Sequence, residues 1–144
     1  MIINSLTKQS PLQIASRLAL GVFMLFAGIA HLSFSRAEFQ AVVPDFIPFN
    51  KDSVVVLSGV VEIGFGLALL FLTKFQTLTG LLLTLFFILI FPGNLSQYYH
   101  GISAFGLDTD QKRLIRLFFQ PLLLLWALWS TGGFPYLNNK FKKS

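Results

Sequence analysis

Four long apolar runs dominate the 144-residue chain, at about residues 12–34, 53–72, 78–99 and 114–130. A helix needs about 20 mostly apolar residues to cross a bilayer, and each run is close to that length. Hydrophobic residues make up 54% of the chain and charged residues only 12%. A soluble domain carries roughly 25% charged residues, so this chain has too little polar surface to cover itself in water. The expected fold is therefore all-α: a single transmembrane domain over residues 1–144, built as a bundle of four membrane-spanning helices. An even number of spans puts both termini on the same side. The first run is long and follows a short polar segment, so it reads as a retained helix rather than a removed signal peptide.

Charge sets an orientation. Lys8, Lys74, Lys140, Lys142 and Lys143 fall on one side, with Arg17 just inside the first run. Arg36, Lys51, Lys112 and Arg113 fall on the other, among Glu38, Asp45, Asp52, Asp108 and Asp110. The lysine-rich side is expected in the cytoplasm, with both termini, in the inner (cytoplasmic) membrane of the cell. The net charge of +5 follows from the same bias and does not imply nucleic acid. The C-terminal "NNKFKKS" reads first as a solvated tail, with an anionic-lipid anchor as the alternative.

The absence of cysteine excludes dithiol chemistry, thiolate metal sites and disulfides within the chain. Two histidines without a carboxylate cluster do not make a metal site, so none is expected. No phosphate loop and no Ser/His/Asp arrangement is present, which argues against a self-contained enzyme.

Polar residues inside the runs carry the functional signal. At about 1.5 Å rise per residue, His31, Glu62, Asn94, Arg116 and Gln120 all fall in the same half of the membrane. Ser58, Gly59 and Gly66 share a stripe with Glu62, so Glu62 is expected to face a close-packed neighbour rather than lipid. Arg17, Gly21, Met24, Gly28 and His31 form a second stripe, and Arg113, Arg116 and Gln120 a third. A carboxylate at this depth costs at least about 2.5 kcal/mol and needs a cation or a proton. Arg116 is the expected partner, through a bidentate guanidinium, with His31 the second choice. Two readings follow: a buried ion pair that fixes helix register, or a polar pocket that binds a ligand. His31 alone reads as an interfacial side chain bonded to a loop. Pro92 and Pro121 are candidate kinks beside Asn94 and Gln120. Trp126 and Trp129 read as interfacial belt residues.

The connection over residues 35–52, "SRAEFQAVVPDFIPFNKD", is apolar but interrupted by Pro44 and Pro48. It predicts a short amphipathic helix and then a re-entrant or interfacial turn that lids the polar cluster.

The segments "FAGIAHLSFSRAEFQAVVPDFIP", "SGVVEIGFGLALLF", "FPGN" and "RLFFQPLLLLWALW" resemble the DoxX family of small four-helix membrane proteins, from about Leu18 to Trp129. The resemblance implies a four-helix transmembrane bundle with recurrent polar positions at His31, Glu62, Asn94, Arg116 and Gln120. The family takes its name from a subunit associated with thiosulfate:quinone oxidoreductase. Other members are linked to membrane oxidoreductase assemblies, and an animal branch assists receptor assembly. Thiol-dependent members would need cysteines that this chain lacks. The expected function is an accessory or interaction subunit of a membrane oxidoreductase-type assembly, without catalysis of its own. Its partners would be the bilayer and other membrane proteins or a second copy. The alternative is a binder of a quinone, lipid or other small hydrophobic molecule at the polar cluster.

Overall fold

Local sequence signals start and stop each helix. A computed structural model describes residues 9–103 and 106–143. Lys8, part of the expected lysine bias, lies outside the described residues. Helix α1 covers Pro11–Leu32, α2 Arg36–Ala41, α3 Lys51–Phe71, α4 Gln76–Tyr99, α5 Asp110–Thr131 and α6 Gly133–Lys142, with a 3-10 turn at Thr73–Phe75. No strand occurs among the described residues. Ser10 and Gln13 form a reciprocal capping box before α1, with Pro11 in its first turn. Asn50 caps α3 by accepting from the Asp52 and Ser53 amides, and Thr109 caps α5 by accepting from Lys112. The Thr109 cap starts α5 four residues before the apolar run itself. At the other end Gly132 adopts φ 77°, a left-handed conformation that costs glycine little, and stops α5.

Among the described residues four helices are long and apolar enough to cross a membrane: α1, α3, α4 with the turn before it, and α5. Between 28% and 33% of each span's most apolar stretch is buried within the protein. The rest presents side chains such as Leu57, Leu89, Ile115 and Phe118 outward, where only lipid suits them. The chain is an all-α bundle of four spans.

Pairing within the bundle follows the glycines. A Cβ on Gly28 would lie 2.7 Å from the Gly59 carbonyl, and one on Gly66 would lie 2.8 Å from the Gly21 carbonyl. The α1 and α3 backbones therefore touch along two levels, which larger residues would prevent. Gly80 of α4 is pressed against the Thr131 side chain of α5 in the same way. Between these two pairs lies the core of Leu20, Met24, Leu69, Leu83, Phe87, Leu123 and Ala127.

The two ends of the bundle differ. At one end Gln9 and Gln13 bond the carbonyls of Ser130 and Trp129, Thr77 bonds that of Thr131, and Arg17 bonds that of Leu69. The other end carries the segment between α1 and α3. Here the expected short helix is α2. Arg36 and Gln40 each reach an oxygen of Asp52 at 2.6 Å, which ties α2 to the first turn of α3. Beyond α2, Val42 and Pro44 are buried while Phe46 and Phe49 are exposed.

The structure adds to two expectations. The C-terminal tail continues as the helix α6 through Lys142, with residues 138–142 exposed. Trp126 is not simply a belt residue: its indole N–H reaches the Ser16 carbonyl at 3.1 Å and the Ser16 hydroxyl at 2.7 Å, joining α5 to α1. Trp129 is 40% exposed and faces outward.

Candidate functional site

Each polar residue singled out above sits on a helix face that the glycine contacts and the loop aim inward. Gly28 and Gly59 bring α1 and α3 so close that His31, one turn on, meets Glu62. The imidazole Nδ1 lies 2.7 Å from Glu62 Oε2 and 2.8 Å from the Ala27 carbonyl. One nitrogen serves two oxygens, and the approach to Glu62 is close but poorly aligned. Glu62 Oε2 is accordingly buried without an aligned hydrogen-bond donor. The Phe39 ring of α2 stacks on the imidazole, with centroids 3.3 Å apart and planes 15° from parallel.

The expected Glu62–Arg116 ion pair is absent among the described residues: the partner of Glu62 is His31. Arg116 Nη1 donates instead to Gln97 Oε1 at 3.0 Å. The reason is pairing geometry. Glu62 lies on the glycine-rich face of α3 that meets α1, whereas Arg116 lies on the face of α5 that meets α4. His31 is likewise not a loop-bonded interfacial side chain, since it bonds within α1 and across to α3.

A second polar group spans α4 and α5. Asn94 Nδ2 donates to Gln120 Oε1 at 3.0 Å. Gln120 Nε2 donates to the Phe87 carbonyl at 3.0 Å, which fixes the orientation of its amide. Gln97, only 1% exposed, accepts from Arg116 and donates to the Ile102 carbonyl at 3.3 Å. Sequence reasoning missed Gln97. The signal was its spacing, three residues after Asn94 on the same helical face. Arg113, grouped by sequence with Arg116 and Gln120, turns away to the Leu107 carbonyl and Asp110.

Residues of both polar groups line one cavity of about 360 Å³. His31, Glu62, Asn94, Arg116 and Gln120 all contribute to it. Its walls include Phe23, Met24, Phe87, Phe119 and Leu123, and Phe39, Val42, Pro44, Phe46 and Ile47 contribute from the loop side. The loop is held there closely, since a Cβ on Gly93 of α4 would lie 3.1 Å from the Val42 carbonyl. The Lys51–Asp45 pair, at 2.7 Å, staples the loop to the start of α3. The lysine's hydrogen bond and charge hold the Asp45 carboxyl below the usual aspartate range. That staple is therefore kept at neutral pH and lost as pH falls through the lowered value.

Chemically, the cavity offers a carboxyl–imidazole pair on one side and amide and guanidinium groups on the other, between aromatic walls. It is far larger than one water and within the size range of small-molecule sites. Among the described residues no three His, Cys, Asp or Glu side chains come together to hold a metal.

Residues 20–131 match a protein family described as a domain of unknown function, DUF8561. No curated protein matches the chain. No solved structure matches it either.

Proposed function

This chain belongs to the DUF8561 family, and we propose that it binds a small amphiphilic molecule of the quinone class within the membrane. One observation carries the reading: five polar side chains from four spans converge on one aromatic-walled cavity. A quinone presents a flat ring with carbonyl oxygens at its edges. Phe23, Phe87 and Phe119 suit the ring, Arg116 and the Asn94–Gln120 pair suit a carbonyl oxygen, and the His31–Glu62 pair can hold a proton beside it. Binding here involves no catalysis by this chain alone. The DoxX resemblance supports a role as a non-catalytic component of a membrane oxidoreductase assembly, with other membrane proteins or a second copy as partners.

The test is titration of the purified protein, in mild detergent, with a short-chain quinone. Saturable binding is expected. Gln120→Leu, which removes a positioned amide without changing side-chain bulk greatly, is expected to weaken it by about ten- to a hundred-fold, the equivalent of a lost buried hydrogen-bond pair. Equal affinity in Gln120→Leu, or no saturable binding by the wild type, overturns the quinone reading. Native mass spectrometry of the same sample would reveal a lipid held in its place.

The cell membrane orientation proposed for this bundle puts both termini in the cytoplasm. The chain has no cysteine, so introduced ones report cleanly. In intact cells an impermeant maleimide should label Asn50→Cys and spare Asn139→Cys. The reverse pattern would invert the orientation.

A further inference from the structure

Pairing of charges differs completely between the two ends of the bundle. At the loop end every exposed cation has a carboxylate of its own. Arg36 meets Asp52 at 2.6 Å, Lys51 meets Asp45 at 2.7 Å, and Lys112 meets Asp108 at 2.8 Å. The more buried Arg113 meets Asp110 at 2.8 Å. All six Asp and Glu side chains, the five loop-end residues with Glu62, lie in that half. At the opposite end stand Lys74, Lys140, Lys142 and Lys143, all exposed. None of them makes an ion pair among the described residues.

The helix that carries two of these lysines, with Lys143 as its C-cap, has a membrane-facing form. Gly132 turns the chain out of α5 directly into α6, so α6 begins at the level where the span ends. Phe134 and Phe141, seven residues apart, share one face of α6 and are 39% and 73% exposed. Leu137 lies between them, and Lys140 and Lys142 flank the stripe. An apolar stripe edged by lysines, continuous with four membrane spans, suits a helix lying in the headgroup layer.

We propose that α6 and the Thr73–Phe75 turn form a docking surface for anionic lipid headgroups. The apolar stripe enters the acyl boundary while Lys74, Lys140, Lys142 and Lys143 meet the lipid phosphates. Lysines without carboxylate partners suit an external anion at this end, whereas the loop end supplies its own. A leaflet rich in acidic lipid supplies that anion at the depth where α6 sits. The surface is independent of the quinone cavity, which lies in the other half of the bundle.

The experiment incubates the full chain in mild detergent with an equal mixture of phosphatidylcholine and phosphatidylglycerol, and counts retained lipids by native mass spectrometry. The wild type should prefer phosphatidylglycerol. Each lysine near an anionic surface contributes about five-fold, so a Lys140→Gln, Lys142→Gln, Lys143→Gln variant should lose most of the preference. A Lys51→Gln, Lys112→Gln variant should keep it, because those lysines are already paired. An unchanged thermal midpoint of the triple variant in phosphatidylcholine alone establishes that its fold is intact. Equal retention of both lipids by the wild type overturns the proposal, as it would if the surface served an acidic protein. So does an undiminished preference in the triple variant, or an equal loss in the loop-end variant.

Discussion

A His31→Ala variant is expected to lose about 1–3 kcal/mol of stability, the range for leaving a buried polar group without its partner. Glu62 is 4% exposed, and its Oε2 has no aligned donor. The imidazole at 2.7 Å is the group that compensates it. Without that ring the carboxyl faces the stripped end of α1 and the cavity. Water entering the cavity keeps the loss within this range. Adding Glu62→Gln should recover part of it, because a neutral amide is cheaper to bury than an unpaired carboxylate. The coupling read from a double-mutant cycle in reversible detergent unfolding should fall within about 0.5–3 kcal/mol. The Glu62–Arg116 cycle should show a smaller coupling. Stability of His31→Ala indistinguishable from wild type, or stronger coupling to Arg116, would sink this assignment.

Gly28→Val is expected to be as damaging, by a different route. Its Cβ would approach the Gly59 carbonyl to 2.7 Å and the Ile63 amide to 3.0 Å. Both are backbone atoms, so no rotamer change relieves the contact and α1 must move off α3. Overpacking of this kind costs about 1–3 kcal/mol and more where backbone is the obstacle. The same displacement parts His31 from Glu62 one turn away, so the proposed quinone binding should fall along with the unfolding midpoint. Gly64→Ala on the same helix is the control. A Cβ there meets nothing within 4 Å, and alanine favours the helix, so stability should hold or rise slightly. Wild-type stability in Gly28→Val would show that the helices are not in backbone contact.

Much of this arrangement is legible in the sequence, and the reasons for the rest are physical. Run length and low charge point to four spans because lipid tolerates little else. Depth alone places His31, Glu62, Asn94, Arg116 and Gln120 in one layer, since rise per residue is nearly fixed. Depth does not say which helices are neighbours. Choosing Arg116 for Glu62 weighed charge and ignored pairing, although Gly21, Gly28, Gly59 and Gly66 already marked α1 and α3 as the pair in closest contact. Gln97 was hidden because an amide near a helix end looks like ordinary interface. Its role appears only when α5 brings Arg116 against it. The helix α6 was hidden by "NNKFKK", a polar composition that reads as a tail until Phe134 and Phe141 are seen on one face.

The Trp126 clasp has an optical consequence. Its indole is anchored to Ser16, and the Phe23 ring lies 5.9 Å from it by centroids. Phe23 in turn lines the cavity. The chain holds only two tryptophans, and Trp129 faces outward. In a Trp129→Phe variant, all remaining indole emission would come from a residue one aromatic ring away from the site. Quinones quench indole fluorescence at short range, so the protein carries its own probe of the proposed binding, with no label and no disturbance of the cavity.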